Sequence, residues 1–538
     1  MLFNSYPFLV FLPVVVIGFY VIGGNFRNWS LRWLILSSLF FYGWWSPLNI
    51  AIILPSVLLN YMLARLMSRW AGNAELRLRT DLALYAGLAF NLCFLAYFKY
   101  KGFFLTTLND LTGTSIISAA TILPLGISFI TFQKIAFLFD VRGQRIKSFD
   151  FQDYCTFVFF FPQLIAGPIV HYNEILPQFR KPAYRLDWND IAVGLALFSM
   201  GLFKKLIFAD SIAPYVSGFY DAAASGDRVA LLQAWLAAIG FTLQIYFDFS
   251  GYSDMAIGLA RLFGIRLPAN FNSPLKATSI IDFWTRWHMT LTRFLTAYLY
   301  NPMALALTRR RAARSLPGLA GSRTTFGAFV VVLMLPLLVT MSLAGLWHGA
   351  GWNFVIFGTL HGIYLTVNHG WRLFRSKSST DHTRIGRFTA AILVLGSVLF
   401  ANVFFRSSSI QAAVVLLKGM VGLNGITLPQ SVVDRLGTVG GWLEGMGVEP
   451  VWWSGYSFTM ALSWVVVLLV VALVPPNTLQ ILAEFEPALG TGSRPTRSAK
   501  PTAFVWKPSV PWAFYTGGIA ATSLLSLGQP AAFLYWQF

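Results

Sequence analysis

Residues 343–362 read LAGLWHGAGWNFVIFGTLHG. The stretch is almost wholly apolar and has the length of a membrane-spanning helix, about 20 residues. Yet it carries two histidines, an asparagine and five glycines. Gly345, Gly349 and Gly351 permit either close helix approach or a broken helix around His348. Irregular backbone at membrane depth survives only where it is buried in protein or lines a water-filled cavity. An ionisable group there is costly and is a functional candidate by default. Two readings of His348 stand: a structural imidazole hydrogen-bonded to a neighbouring helix, or one placed for proton transfer, to which histidine is best suited near neutral pH. Trp347 and Asn353, close by in sequence, are expected to support or line the same site. His361 lies 13 residues beyond His348. On one straight helix the two are roughly 20 Å and about 220° apart. They are therefore expected to occupy separate places, with His361 in a supporting role. No HExxH-like pair is present, and no metal site is expected.

Composition agrees with a membrane setting. The chain has 538 residues, 56% hydrophobic and 11% charged, with mean hydropathy +0.62. Soluble domains are about 25% charged, so the expected fold class is all-α, a polytopic transmembrane helical bundle. The net charge is +19, from 40 basic and 21 acidic residues. In a membrane protein such an excess collects in cytoplasmic loops and sets orientation. It also favours anionic lipid headgroups and an anionic cytoplasmic donor over nucleic acid. Cys93 and Cys155 both lie in apolar runs, which suggests neither a disulfide framework nor a Cys-based metal site. The N-terminal MLFNSYPFLVFLPVVVIGFYVI lacks a basic leader and a small-residue cleavage signal, and reads as a retained first span.

Candidate spans lie near 5–23, 30–46, 48–64, 81–98, 121–140, 151–169, 189–208, 229–247, 325–346, 352–371, 388–406, 457–474 and 510–528. They group into N-terminal helices (1–120), a central core (121–372) and a C-terminal extension (373–538). With the N-terminus outside, the clusters Arg27/Arg32, Arg65–Arg79 and Arg142–Lys147 all fall inside. So do TRRRAARSLPGLAGSR (308–323) and RLFRSKSSTDHTRIGR (372–387), which flank the pair of spans around the opening stretch. Residues 407–456 are expected to form a periplasmic or interfacial cap, and 475–507 a cytoplasmic loop.

Three further stretches place polar groups where lipid is expected. In IIDFWTRWHMTLTRFLTAYLY (280–300), one continuous helix aligns Thr285, His288, Thr292 and Thr296 as a polar stripe. The stripe reads as a tunnel wall or as a thread of interhelical hydrogen bonds. Asp282 and Arg286 are spaced to pair at i, i+4. In LQIYFDFSGYSDMAIGLARLFG (243–264), Asp248 and Asp254 crowd together with Ser250, Tyr252 and Ser253. Such a cluster serves acid–base or cation chemistry, or knits a broken helix together. In FFFPQLIAGPIVHYNEILPQF (159–179), Pro162, Gly167 and Pro168 forbid a straight helix and predict a re-entrant turn, with His171 at the interface. No P-loop, GxSxG, CxxC or Rossmann signature appears.

Five ordered blocks, GISFITFQKIAFLFD, PQLIAGPIVHY, FDFSGYSDMAIGLARLFGI, FWTRWHMTLTRFL and LWHGAGWNFVIFGTLHG, together resemble the membrane-bound O-acyltransferase family over about residues 125–365. The similarity is to its bacterial branch of alginate O-acetyltransferase membrane subunits and teichoic acid D-alanyl transferases, with KGMVGLNGITLP (418–429) resembling the alginate-type extension. The resemblance implies a ring of helices around a central tunnel with re-entrant segments. It implies that His348 is the essential residue, that His288 also lines the tunnel, and that the second histidine of the block falls on His361. It implies no permanently bound cofactor, and an acyl-CoA or acyl-carrier thioester as donor. The activity implied is O-acyl transfer, acetyl in the first place, to an extracytoplasmic polysaccharide or to a periplasmic esterase-like partner protein. The place implied is the bacterial inner membrane, as a multi-pass protein.

One departure bears on this. A Gly-rich turn usual in the alginate type after the RWH helix is replaced here by NPMALALTRRRAARS (301–315), an arginine loop. Arg309, Arg310 and Arg311 are either donor contacts, since arginine forks suit phosphate, or a plain positive-inside anchor. Two other readings of the whole chain differ in class. D-alanyl or other acyl transfer to an envelope polymer leaves the chemistry in place. A non-enzymatic lipid or polysaccharide transporter predicts paired broken helices related by an internal repeat, and no such repeat is seen.

Overall fold

The computed structural model describes residues 1–117, 123–180, 184–320, 323–374, 383–451, 455–490, 504–528 and Leu534. It is overwhelmingly helical and divides into two units that interleave along the chain. The first takes Met1–Phe203, Ser250–Asn270 and the described residues from Thr478 onward; the second takes Lys204–Phe249 and Phe271–Asn477. These limits cut across the three consecutive segments read from the sequence. Among the described residues, six helices are long and apolar enough to cross a membrane by length and composition.

The first unit opens with α1 (Tyr6–Gly23), α2 (Arg27–Gly43), α3 (Leu48–Trp70) and α4 (Arg77–Leu95), which a π-helical turn at Ala96–Tyr100 carries into α5 (Lys101–Thr112). Helix α1 shows the governing pattern. Phe8, Leu12, Val15 and Phe19 are buried, yet Val10, Val14, Ile17 and Val21 on the other face are exposed. A helix apolar on both faces suits protein on one side and lipid on the other. Helix α6 (Ile127–Arg142) buries Lys134 completely, with its ammonium on Ser56 Oγ of α3 and over the Phe94 ring.

The expected span 151–169 is not one helix. It splits into α7 (Phe151–Phe159), capped by Asp150 accepting from Asp153 N at 2.6 Å, and the single turn α8 (Phe161–Leu164). Pro162 sits in the first turn of α8, where its missing N–H costs nothing. The predicted re-entrant turn is thus a break whose residues 153–170 are all buried. His171 precedes α9 (Tyr172–Phe179) with its Nδ1 3.8 Å from Asp140 Oδ2. Helix α10 (Trp188–Phe203) continues through a π-helical segment, Lys204–Ala209, into α11 (Asp210–Ala224).

Helix α12 (Leu231–Arg261) is continuous over 31 residues. This corrects the reading of its polar cluster as the stitching of a broken helix. Two of its polar side chains are bonded to other segments. Asp254 accepts from Thr478 Oγ1 at 2.6 Å, and Ser253 Oγ from Asn270 Nδ2 at 3.1 Å.

The second unit contains α13 (Ile280–Trp284), α14 (Met289–Leu295), a π-helical turn Thr296–Tyr300 and α15 (Asn301–Ala313). After α16 (Phe326–Ala328) and the π-helical segment Phe329–Met334 come α17 (Leu335–His348), α18 (Trp352–Phe374) and α19 (Arg384–Arg406). Residues 375–382 of the second basic loop lie outside the described residues. Residues 407–456, read from the sequence as a periplasmic or interfacial cap, hold α20 (Ile410–Met420), β1 (Ile426–Pro429), α21 (Gln430–Leu436), α22 (Thr438–Gly445) and β2 (Val448–Val451). The two strands pair in parallel, with Ile426 opposite Val448. Helix α23 (Gly455–Leu473) closes the unit.

Residues 475–507 are more than a loop where they are described. Helix α24 (Thr478–Ile481) and the segment after it are part of the first unit, with Leu489 N on Leu267 O at 2.8 Å and Ala269 N on Leu489 O at 2.9 Å. Helix α25 (Val510–Leu525) packs on α10.

Candidate active site

The opening stretch folds as a helical hairpin rather than one straight helix. Helix α17 ends at His348, the chain crosses Gly349–Gly351, and α18 begins at Trp352. The glycines close the hairpin. A Cβ at Gly345 would lie 2.1 Å from Phe354 O, and one at Gly358 would lie 2.1 Å from Met341 O. The two backbones therefore touch directly. Gly349 is extended (φ −161°), and its missing side chain leaves room for the Phe354 ring, 2.2 Å from where a Cβ would stand.

His348 is thereby held at a helix end, 5% exposed. Its ring meets Trp347 at 4.8 Å, Phe405 of α19 at 5.4 Å and Phe357 of α18 at 6.2 Å between centroids. The chain reversal changes the relation to His361. Phe357 also packs against His361, at 4.8 Å, so the two imidazoles flank one ring instead of standing apart on a straight rod. His361 is bound in another way. Trp284 Nε1 donates to His361 Nδ1 at 3.3 Å, which puts the His361 proton on Nε2 and leaves Nδ1 occupied as an acceptor. That bond ties α18 to α13.

His288 is fully buried and sits at a second break. The stretch 280–300 is not one helix: α13 stops at Trp284, and His288 adopts a left-handed conformation (φ 40°, ψ 51°) just before α14. Such a conformation in a non-glycine residue costs about 1–3 kcal/mol and persists only where its surroundings impose it. The surroundings are visible. Asn272 N donates to Arg286 O at 2.9 Å, Asp282 Oδ1 accepts from Arg286 Nε at 2.8 Å as its spacing predicts, and Trp287 packs edge-on against Phe271 at 5.1 Å. The imidazole itself lies edge-on to Phe249 at 4.7 Å, and 6.3 Å from Trp347.

The break dissolves the predicted polar stripe. Thr285 is exposed, its hydroxyl donating to Asp282 O at 2.7 Å. Thr296 is exposed and bonded to Thr292 O at 2.7 Å. Of the three threonines of the stripe only Thr292 has a buried hydroxyl, and it has no hydrogen-bond partner among the described residues. Asn353 ties the start of α18 to the end of α19, donating to Ser407 O at 2.8 Å and Phe404 O at 3.3 Å. Asp248 and Asp254 are not a pair: Asp248 falls in the second unit beside Lys205, at 2.6 Å, and Asp254 in the first. Among the described residues no three acidic, His or Cys side chains are grouped to hold a metal ion.

Arg309, Arg310 and Arg311 belong to the last turns of α15 and not to a loop, where cations complement the helix C-terminus. Arg309 and Arg310 are exposed; Arg311 is spent on Pro317 O, through Nε at 2.9 Å and Nη2 at 2.8 Å. Sequence reasoning passed over Lys205, Phe249, Phe357 and Phe405. A lysine inside the apolar run GLFKKLIFAD was a legible signal. The three phenylalanines were lost among 49.

Two imidazoles, His288 and His348, are thus buried at helix breaks of a multi-pass helical protein, with the Trp347 ring between them. Comparison with known proteins gives its family. The model of the membrane-bound O-acyltransferase family matches residues 39–318, which include the His288 break and stop short of the His348 hairpin. A peptidoglycan O-acetyltransferase from Helicobacter pylori is 39% identical over 457 residues, 80% of this chain and 81% of that protein. A probable alginate O-acetylase, AlgI, from Azotobacter vinelandii is 34% identical over 437 residues, 80% of this chain and 79% of its own. A teichoic acid D-alanyltransferase from Streptococcus thermophilus is 24% identical over 264 residues, 49% of this chain and 60% of its own. The chain belongs to the membrane-bound O-acyltransferase family, and it is an acyltransferase.

Proposed function

We propose that the protein transfers a short acyl group, acetyl in the first place, from a cytoplasmic thioester to a hydroxyl of an extracytoplasmic cell-envelope polysaccharide, directly or through a periplasmic partner protein. The observation that carries this reading is the run of ring contacts from His288 through Trp347 to His348. His348 takes the proton of the attacking hydroxyl. The oxygen adds to the thioester carbonyl, the C–S bond breaks, and the leaving thiolate recovers the proton from His348. His288 orients or polarises the reacting group. Two relatives named for O-acetylation, of peptidoglycan and of alginate, support acetyl as the group and a sugar polymer as the acceptor. The test is reconstitution in vesicles with labelled acetyl-CoA, or a labelled acyl-carrier protein, on one side and acceptor oligosaccharide on the other. Ester-linked label on the acceptor is the expected result; its absence with both donors and with the periplasmic fraction added overturns the proposal.

The proposal includes an orientation and a donor contact, each with its own measurement. In a variant lacking Cys93 and Cys155, a cysteine at Arg309 is expected to react with an impermeant reagent only from the cytoplasmic side. A cysteine at Leu423, 74% exposed in the cap, is expected to react only from outside. The opposite labelling reverses the orientation. In this reading Arg309 and Arg310, both exposed on α15, meet the anionic donor. Replacing Arg309, Arg310 and Arg311 by Gln is expected to raise the donor KM several-fold and to weaken its salt dependence. Unchanged donor kinetics in detergent leave these residues as a topological anchor alone.

A further inference from the structure

The π-helical segment Lys204–Ala209 brings together side chains that a regular helix keeps apart. In an α-helix a residue at i+5 points about 140° away from residue i. The wider π turn, with its i→i+5 hydrogen bonds, puts the two on one face. Lys205 Nζ lies 2.7 Å from Asp210 Oδ1, five residues on, and 2.6 Å from Asp248 Oδ1 of α12. Their side chains are 3%, 7% and 1% exposed. Charges this deep are costly unless paired in good geometry, and pairing locks α12 to the π turn at one register. A ring contact beside the ion pairs, Phe208 against Phe247 at 5.0 Å, adds to that fit.

Phe249 is the residue after Asp248. It is fully buried, and its ring meets the His288 imidazole edge-on at 4.7 Å. It also packs on Phe271 at 5.0 Å, which faces His288 from a second side at 6.4 Å, nearly parallel to it at 16°. The left-handed backbone of His288 needs such a wall, because nothing in its own φ/ψ preference keeps it there.

We propose that Lys205, Asp210 and Asp248 are positioning residues for acyl transfer: their buried ion pairs fix Phe249, and Phe249 fixes the His288 imidazole. The proposal rests on the reading that His288 acts in the reaction. It concerns the turnover step rather than substrate affinity, because the clamp acts on the orientation of one ring. Asp248→Asn is the variant of choice. It removes one charge of the clamp, leaves Lys205 paired with Asp210, and keeps the shape of the side chain. Phe249→Leu breaks the same link without touching a charge.

In detergent-purified full-length protein whose melting temperature is recorded alongside, Asp248→Asn and Phe249→Leu are each expected to lower kcat about tenfold or more while leaving the donor KM within about twofold. Combined with His288→Ala, neither is expected to lower kcat further, since residues acting through one group are not additive. A wild-type kcat in both folded variants overturns the proposal. So does a loss in either that multiplies in full with the loss from His288→Ala, because the clamp then acts elsewhere. A wild-type kcat for His288→Ala overturns this proposal together with the role given to His288, and so separates the two failures. Should Asp248→Asn fail to fold, Phe249→Leu carries the same pair of outcomes alone.

Discussion

His348→Ala is expected to lower acyl transfer by about 10²–10⁴-fold, the range over which a positioned general base contributes, in a protein that still inserts in the membrane. The effect follows from where the imidazole stands. It is the last residue of α17, enclosed by Trp347, Phe357 and Phe405, so no neighbouring side chain of those three has a proton acceptor to replace it. Removing the ring from this aromatic nest also costs packing. Activity must therefore be compared at matched folded protein, by initial rates at saturating donor and with the melting temperature recorded. His348→Gln separates the two effects, since it fills much of the volume and cannot act as a base near neutral pH. Both variants are expected to be inactive. A folded His348→Ala protein with the wild-type rate overturns the assignment.

The second large effect is expected at the crossing of α17 and α18. Gly345→Ala and Gly358→Ala each drive a methyl group to 2.1 Å from a backbone carbonyl, Phe354 O and Met341 O respectively. A carbonyl in a helix has no rotamer to escape into, so the helices must part. Overpacking of this kind costs about 1–3 kcal/mol and sometimes more. Both carbonyls lie within a turn or two of His348 or Phe357, so activity is expected to fall with stability. Gly396→Ala in α19 is the control: a Cβ there meets nothing within 4 Å, and alanine is the better helix former by about 1 kcal/mol. A melting temperature unchanged in both crossing variants, against a Gly396→Ala control that behaves as expected, removes the close-contact explanation.

The two helix breaks differ in how far the sequence announces them. The one at His348 is legible because Gly349 and Gly351 interrupt an apolar run. The one at His288 is not. WTRWHMT contains neither glycine nor proline, and its helical periodicity is good; the left-handed turn is imposed by Asn272, Phe271 and Phe249, which come from other segments. The same cause explains α12. Asp248 and Asp254 look like a local cluster until Lys205 and Thr478, 43 and 224 residues away along the chain, are seen to divide them. Local pattern identified helices well from Tyr6–Gly23 to Val510–Leu525. It did less well with α15, where the arginines were assigned to a loop although nothing between Pro302 and Pro317 breaks a helix. The charge of an arginine run says where it is soluble and not what backbone carries it.

The π turn at Lys204–Ala209 has a bearing on how this chain tolerates changes in length. A π turn accommodates one residue more than the regular helix around it. Deleting any single residue from 204–209 restores a regular helix, with good hydrogen bonds and an unbroken apolar run. Because the π turn absorbs that residue, deleting any one of 206–209 leaves Lys205 and Asp210 at i, i+4, still on one face of the helix. The result is a helix that secondary-structure content alone cannot tell from the original. Within relatives of this chain, a one-residue gap at 206–209 marks the loss of the π turn and not of the ion pair, and a carboxylate aligned with Asp210 beyond such a gap still faces the lysine.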